Sequence, residues 1–408
     1  MKANQWILLH VITAVVVSAP ALAQQNPQRL TLASALDLAE RQNLDLAAAR
    51  AQRAVALAGV QIAGQRPNPT ANVAVLRDSP HESLFFDEPL ELGSKRKRRI
   101  EFAQQEGIST EASISALERQ VRRRVRDAFF GLACARGVSI ERAGALKLAE
   151  RLQEIAKSRF DAGDIPQLEV TQAELEVDRA SADLQVAQQE QKVALSDLNA
   201  LLNEPPAMDW DLGDALMTFP PQLSLDELLT RAGKSNADVA RIKQELKVEQ
   251  AREALLKADR IPNLGFEFGT DFNSPHDFRV GPRGQLAMEL PLFSRNQGEI
   301  AQSAASQRAF DQEILAVLRA TDAEVGSAFL DLEARRTQAQ LYRDTLLPAS
   351  RRLEVMAEDS YRAGKANILM VLGAQRDVQQ TERDYLDSLL AVQSAFSQLE
   401  EAVGEPLN

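Results

Sequence analysis

Few side chains in this 408-residue chain could perform catalysis or hold a metal ion. Cys134 is the only cysteine, so one chain can form neither a disulfide framework nor a thiolate zinc site. Two histidine–acid pairs, His81-Glu82 and His276-Asp277, occur in predicted loops. We interpret both as solvated loop residues, with a loop metal site as the alternative. Because the sequence also lacks serine-nucleophile, zinc-protease, P-loop and dinucleotide-binding motifs, we predict no enzyme activity, no metal and no cofactor.

The most concentrated charge is a basic run that directly follows an apolar segment, in DEPLELGSKRKRRIEF at 87–102. The five consecutive cations are Lys95, Arg96, Lys97, Arg98 and Arg99. Runs of this kind often bind nucleic-acid phosphates. The whole chain, however, carries a formal net charge of −11. A protein of that sign is a poor binder of polyanions.

The N-terminus has the composition of a secretory signal peptide. Lys2 precedes a mostly apolar run from Trp6 to Val17, and Ala21-Leu22-Ala23 then suits cleavage after Ala23. The apolar run is short for a transmembrane helix, and no cysteine follows the cleavage site to carry a lipid anchor. Removing residues 1–23 takes away Lys2 alone among the charged residues, which leaves 46 cations against 58 anions. We therefore predict an exported protein with no nucleic-acid partner.

Two related halves make up the rest of the chain. LASALDLA at 32–39 matches LDELLTRA at 225–232, and LNALLNEP at 198–205 matches LEEAVGEP at 399–406. The matches keep their order while the shift grows from 193 to 201 residues. We predict tandem repeats at 24–203 and 224–408, joined by a proline-containing linker at 204–223.

Each half is predicted to contain the same elements in the same order. An amphipathic helix comes first, at about 31–64 and 224–259. Period-two alternation then predicts two strands per half, at about 70–77 and 84–91, and at about 264–270 and 284–290. A helical hairpin follows, at about 94–203 and 294–403. Its first helix should be roughly 100 Å long in the first half, and Pro348 should kink it in the second.

The returning helix of each hairpin has an apolar period of seven residues. In the first half the two seam positions are Val170, Val177, Leu184, Gln191 and Leu198, and Ala173, Ala180, Ala187, Ala194 and Leu201. The pattern recurs 201 residues later. Five heptads predict coiled-coil packing, with an ordinary helical bundle as the alternative. Small residues at one seam let the helix axes approach closely. Because a helix of this length cannot find enough partners inside one small globule, we favour an elongated assembly.

Four strands in an exported chain limit what the strands can do. In water they could form a small sheet. In a membrane an open sheet leaves backbone groups unpaired, so only a closed barrel is stable. Bacterial barrels have at least eight strands. If these strands span a membrane, several copies of the chain must therefore supply them together.

The leader, the two halves, the strand pairs and the long hairpins together resemble the TolC family of outer-membrane efflux proteins. EPLELGSKRKRRIE and LPLFSRNQGEIAQSAA resemble its heavy-metal branch, represented by CzcC. RFDAGDIPQLEVTQAELE and SYRAGKANILMVLGAQRD resemble its helix-turn-helix tips. The resemblance implies a mainly α-helical, TolC-like homotrimer, with a twelve-stranded outer-membrane β-barrel on a periplasmic α-helical tunnel. It also implies a passive duct for heavy-metal cations that works with a periplasmic adaptor and an inner-membrane resistance-nodulation-division pump.

The resemblance also assigns functional residues at the tips. The adaptor-docking residues would be Phe160, Gly163 and Asp164 in the first half, and Tyr361, Gly364 and Lys365 in the second. Glycine suits a tight turn between helices because it readily adopts positive φ. A turn without a partner is the alternative.

A ring of acidic residues surrounds the periplasmic aperture in TolC, and this sequence departs from that pattern. The corresponding positions are Met370 and Gly373, with Glu169 and Gln172 at the matching places in the first half. We hypothesise that Glu169 contributes an acidic constriction that concentrates cations. A solvated Glu169 on the helix surface is the alternative.

The strands and the start of the helix that follows them should lie at the membrane. Glu267 and Glu289 alternate with apolar strand residues and should face a watery lumen. Ser94 should cap the helix that follows it. The run Lys95 to Arg99 should lie beneath the outer membrane and contact lipid phosphates. Because cations oppose the dipole at a helix N-terminus, a partner such as Glu101 is expected as well.

Two other functions fit parts of the pattern. A periplasmic adaptor is also exported and carries a coiled-coil hairpin, but it has one hairpin and more strand. A duct of the same family for organic compounds is the second alternative.

Overall fold

The computed structural model describes residues 28–213, 215–274 and 278–407. The predicted signal peptide and His276 lie outside these residues. In the first half the elements are β1 (Gln28–Arg29), α1 (Leu32–Gln42), α2 (Leu44–Ala63), β2 (Thr70–Val75), β3 (Glu82–Leu90), α3 (Lys95–Asp161) and α4 (Gln167–Leu202). In the linker they are β4 (Trp210–Asp211) and a 3-10 turn (Ala215–Met217). In the second half they are α5 (Leu225–Ser235), α6 (Ala237–Asp259), β5 (Leu264–Ser274), β6 (Phe278–Met288), α7 (Gln297–Leu341), a π-helical turn (Tyr342–Leu346), α8 (Leu347–Arg362) and α9 (Ile368–Val403).

The order helix pair, strand pair and long hairpin occurs twice. The exact division at 24–203, 204–223 and 224–408 stays a prediction. The linker is more ordered than its prolines suggested, because β4 pairs in parallel with β1, aligning Trp210 with Gln28.

The predicted single helices at 31–64 and 224–259 are wrong, because each is two helices. The breaks fall at Asn43 and Asn236, which both have extended backbone. The Oδ1 atom of Asn43 accepts from the Leu46 amide, and that of Asn236 accepts from the amides of Asp238 and Val239. Each asparagine thereby caps the second helix of its pair.

The same two asparagines tie each helix pair to the end of its hairpin. Asn43 Nδ2 donates to the Leu201 carbonyl at 3.0 Å, and Asn236 Nδ2 donates to the Ala402 carbonyl at 2.9 Å. Both asparagines are 5% exposed. The two halves thus repeat a buried contact that links their first and last helices.

We expect Asn236→Ala to destabilise the protein by about 2 kcal/mol, since a helix cap is worth about 1 kcal/mol and a buried carbonyl left unpaired costs about as much again. Asn236→Ser keeps a capping oxygen but cannot reach Ala402, so it should lose about half as much. Denaturant unfolding of the purified protein, followed by circular dichroism, measures the difference. Equal stability of Asn236→Ala and the unmodified protein would contradict this role.

The long helices follow the predicted pattern, with one local difference. α3 has 67 residues, which corresponds to about 100 Å. The matching helix of the second half is interrupted near Pro348, as predicted, and the interruption is the π-helical turn immediately before α8. Pro348 has no N–H and its ring conflicts with the carbonyl four residues earlier, so the wider turn accommodates it.

The heptad positions of α9 are interior, as predicted, whereas in α4 five of the ten are buried and five are half-buried. In α9 nine of the ten seam residues are buried: Val371, Val378, Tyr385, Val392, Leu399, Ala374, Ser388, Ala395 and Ala402. α4 differs because a second apolar stripe lies on its outer face. That stripe comprises Leu168, Leu175, Val186 and Val193, which are 48–65% exposed. One hydrophobic core surrounds Phe129 and Phe396, and a smaller one at the hairpin tips surrounds Tyr361.

The four longer strands form one antiparallel sheet in the order β2-β3-β5-β6. The predicted strands exist, but two bounds are wrong, because β5 continues to Ser274 and β6 begins at Phe278. Pro282 suggested a loop, yet it pairs in register with Thr270. Since β6 is an edge strand of this sheet, the missing N–H of Pro282 is tolerated.

Candidate functional site

One face of the sheet is apolar and uncovered. The strand register places on it Glu82, Glu88 and Thr270 together with a larger apolar set: Val73, Leu84, Phe86, Phe266, Phe268, Val280, Leu286 and Met288. Val73 is 75% exposed and Leu286 is 66% exposed. Phe268 stacks on both Phe86 and Phe266, with ring centroids 5.7 and 5.8 Å apart. A continuous apolar surface of this kind marks contact with a membrane or another protein.

The opposite face of the sheet is polar. Arg283 donates to Glu267 at 2.7 Å, lies 3.6 Å from Asp271, and places its guanidinium 4.5 Å from the centre of the Phe85 ring. Glu267 therefore lies on the polar face, where the alternation predicted it. Glu289 follows the last residue of β6, so its assignment to a strand is wrong. A lumen beside either residue stays a prediction.

The basic run begins at the joint between the sheet and α3. Lys95 is 7% exposed, and its Nζ donates to Asn263 Oδ1 at 2.7 Å. Arg99 donates to the carbonyls of Ala63 and Gln65 at 3.3 and 3.1 Å and also pairs with Glu91. For Lys95 the lipid-anchor prediction is wrong, because its side chain is buried and bonded to Asn263. The Arg99 side chain is 31% exposed, so its contact with lipid stays a prediction. A cation at the end of α2 is also favoured by the helix dipole.

The rest of the run is more open. Arg96 is exposed and donates to the Gly64 carbonyl, while Arg98 donates to Glu101 at 2.7 Å. Lys97 has a side chain that is 74% exposed and lies 3.9 Å from Glu101. Glu101 is thus the compensating partner that the dipole required. Contact of Arg96, Lys97 and Arg98 with lipid stays a prediction.

Ser94 does not cap α3, so that prediction is wrong. Its side chain makes no capping hydrogen bond, and its φ is +63°. Gly93 before it has φ +73°, and a Cβ there would lie 2.5 Å from Ile261 Cδ1. Two successive left-handed residues make the turn from strand to helix, and this conformation prevents Ser94 from taking the extended form of an N-cap.

The two hairpin turns lie side by side at one end of the molecule. Gly163 and Gly364 have φ of +81° and +71°, as the tip prediction required. Phe160 is 41% exposed, and Asp164 and Lys365 are exposed. These residues are available for the predicted docking, which stays untested.

Tyr361 is not available for docking, and that part of the prediction is wrong. It is fully buried, and the Arg159 guanidinium lies 4.7 Å from its ring centre while donating to its carbonyl at 3.0 Å. Tyr361 therefore joins α8 to α3 inside the tip. Burial raises the pKa of the Tyr361 phenol, and the charge of nearby Glu169 raises it further.

The predicted aperture residues do not share one environment. Glu169 is half-buried, and its Oε2 is buried without a hydrogen-bond partner among the described residues. It points into the tip beside Tyr361, so the alternative of a solvated surface residue does not describe it. Gln172 is half-buried, whereas Met370 and Gly373 are exposed. A constriction formed by any of the four stays a prediction.

Sequence reasoning missed an apolar patch at the same end. Leu369 and Met370 are 56% and 58% exposed, and Leu168 at the start of α4 is 65% exposed. Ile368, Val371 and Leu372 are buried in the tip core. The five successive apolar residues at 368–372 cannot all lie on one buried helix face. This run could have predicted the exposed patch from the sequence.

These features can be compared with known proteins. The sequence model of the family described as outer membrane efflux protein matches residues 35–204 and 228–405. The chain belongs to the outer membrane efflux protein family. The cobalt-zinc-cadmium resistance protein CzcC of Cupriavidus metallidurans is 28% identical over 391 residues, covering 94% of this chain and 92% of that protein.

Solved structures share the fold. A membrane protein from Pseudomonas aeruginosa superposes with a TM-score of 0.76 at 18% identity, covering 93% of this chain and 91% of the other. The outer membrane protein VceC from Vibrio cholerae gives a TM-score of 0.73 at 16% identity, covering 92% and 97%. The TolC-like fold predicted from the sequence is confirmed.

Membership of the outer membrane efflux family makes the protein an efflux channel of the outer membrane that extends into the periplasm. The protein is therefore an outer-membrane channel and not the periplasmic adaptor that the sequence left open as an alternative. In the ranges that the structure describes, no helix is both long and apolar enough to cross a membrane.

Proposed function

We propose that the protein is the passive, non-enzymatic outer-membrane exit duct of a heavy-metal efflux system and that it functions as a homotrimer. The four-stranded sheet carries this proposal, because one of its faces is apolar and uncovered while the other is polar. Within the described residues, β2 pairs only with β3, and β6 pairs only with β5. Open edges are unstable in lipid, so edges of neighbouring copies must pair.

Three copies supply twelve strands, and their apolar faces then meet outer-membrane lipid. The exposed apolar stripe of α4 supports the same assembly, since helices of a neighbouring copy would cover it. The polar face, with Arg283 and Glu267, would line the lumen. Export would be driven by a separate inner-membrane pump of the resistance-nodulation-division class.

The hairpin tips are where a periplasmic adaptor would dock. Phe160 and the patch of Leu168, Leu369 and Met370 are exposed at that end. The similarity to CzcC supports divalent metal cations as the exported class.

We expect a strain that lacks the gene to become more sensitive to zinc, cobalt or cadmium and to recover tolerance when the gene is restored. Growth inhibition by each metal, and by dyes and detergents, measures the exported class. Sensitivity confined to organic compounds would overturn the metal assignment. Recovery of the protein from periplasmic extract instead of the outer-membrane pellet would overturn the duct itself.

A tip variant separates adaptor docking from assembly. Leu369→Glu combined with Met370→Glu places charge on the exposed patch and leaves the buried neighbours unchanged. Metal tolerance should fall to that of the deletion strain, while the trimer remains in the outer membrane. Unaltered tolerance would argue against docking at this patch.

A further inference from the structure

A cleft of about 630 Å³ lies between the first hairpin and the second, well away from the sheet and the tips. It is bounded by α3, α9, the first turns of α8, and the linker from the end of β4 onwards. Much of its wall is apolar, formed by Ile140, Leu212, Leu216, Met217, Leu347 and Leu386. Its volume is in the range of small-molecule binding sites. Leu347 directly follows the π-helical turn, a feature that is frequent at functional sites.

The cleft contains a carboxylate that lacks hydrogen bonds. The Glu141 side chain is 7% exposed, and neither of its oxygens has a hydrogen-bond partner in the described part of the chain. Arg142 Nε lies 3.3 Å from Glu141 Oε2 but not in a hydrogen-bonding geometry, and Arg142 also contacts Gln379. A buried carboxylate without hydrogen bonds is costly, and burial raises the pKa of Glu141 to about 6. The charge of Arg142 offsets part of that cost, and a bound cation would offset more of it.

The cations of the cleft are already paired. Arg351 donates to Glu382 at 2.6 Å. Arg136 donates to the Trp210 carbonyl and to Asp209. The lining carries three carboxylates, Glu141, Asp211 and Glu382, against the two arginines, so its formal charge is negative.

The residues that line the cleft favour an organic ligand over a metal ion. The described residues contain no group of three or more histidine, cysteine, aspartate or glutamate side chains arranged to hold a metal. The walls are instead apolar, and the ring of Tyr385 is among them. Aliphatic and aromatic walls whose charged groups sum to a negative charge suit a molecule that has an apolar body and one positive charge.

We propose that this cleft binds an amphipathic organic cation, with its apolar part against Leu212, Leu216 and Leu386 and its cationic centre beside Glu141. This proposal does not rest on the proposed export of metal cations. A ligand here would contact both the linker and the segment after the π-helical turn, and would thus connect two parts of the chain that are distant in sequence.

Tetraphenylphosphonium tests the proposal on the full-length protein in detergent. Trp210, the only tryptophan beyond residues 1–23, is buried in the linker strand beside the cleft, so its fluorescence is a local readout. We expect a saturable change with tetraphenylphosphonium and none with tetraphenylborate, which has the same shape and the opposite charge. Titration calorimetry gives the affinity independently. Equal affinity for the two ions, or no saturable binding because a neighbouring copy fills the cleft, would overturn the proposal.

Three variants and a pH series identify the carboxylate. Glu141→Gln should weaken binding at least tenfold, while Glu150→Gln, exposed on the same helix, should not. Ile140→Arg, at a position 74% exposed on the cleft wall, should also abolish binding by placing a cation there. Unchanged affinity in Glu141→Gln would contradict the site.

Binding should also weaken as the pH falls through about 6, because Glu141 becomes protonated. Arg142 on α3 and Arg383 on α9 oppose protonation, whereas Glu382 on α9 and Asp183 on α4 favour it. An affinity that stays constant from pH 8 to pH 5 would count against Glu141 as the binding group.

Discussion

Gly269→Ala is expected to reduce the amount of folded protein in the outer membrane at least tenfold. A Cβ at Gly269 would lie 2.2 Å from the Leu84 carbonyl oxygen and 2.5 Å from Phe85 Cα. Both atoms are backbone, and they belong to β3, the central neighbour of β5. The strands would have to separate to make room, and in lipid each unpaired backbone group costs several kcal/mol. The sheet should then fail to insert.

Gly284→Ala is the matched control for this prediction. Gly284 belongs to the same sheet, but its nearest atom from a built Cβ is the Glu267 carbonyl oxygen at 4.0 Å. We expect this variant to match the unmodified protein. Outer-membrane fractionation, migration of unheated samples on gels and zinc tolerance measure the outcome. Normal insertion of Gly269→Ala would show that β3 and β5 are not held at this spacing.

The features that the sequence predicted well are those encoded by neighbouring residues. Alternation located the strands, and the period of seven located the buried seam of α9. Both signals depend on which side chains share a face of one element, so they require no knowledge of distant contacts. The long α3 helix belongs to the same class, because composition and the lack of proline determine it locally.

Two of the wrong predictions involve partners that are remote in the sequence. Lys95 looked like a surface cation, but it bonds to Asn263, 168 residues away. Asn43 looked tolerable within a helix, and the Leu201 carbonyl that fixes it is 158 residues away. Charge and side-chain type give the bonding capacity of such residues, but only the fold supplies the partner.

The repeat itself misled the tip prediction. Phe160 and Tyr361 occupy matching positions in the two turns, which suggested one shared role. Phe160 is 41% exposed and Tyr361 is fully buried. Matching residues keep their backbone position in each half, but the two halves pack against different neighbours. The environment of a repeated residue is therefore not repeated.

Gly404 and Asn203 are matching residues whose different environments can be compared by mutation. The matched segments LNALLNEP and LEEAVGEP align Asn203 with Gly404, and both end their helices in left-handed conformation, with φ of +57° and +90°. Asn203 is exposed, whereas Gly404 is buried. A Cβ on Gly404 would lie 2.3 Å from the Ser235 carbonyl oxygen and 2.8 Å from Asn236 Cα.

We expect Gly404→Asn to destabilise the protein by roughly 3 kcal/mol or more, since overpacking against backbone adds to the strain of positive φ. It would also displace Asn236 from the Ala402 carbonyl, which that asparagine contacts at 2.9 Å. The reverse exchange, Asn203→Gly, should change stability by about 1 kcal/mol or less, because glycine adopts the same φ without strain. Denaturant unfolding of both variants decides the matter. If Gly404→Asn is as stable as Asn203→Gly, the close approach of α5 and α6 to the end of α9 does not limit this position, and left-handed backbone alone explains the glycine.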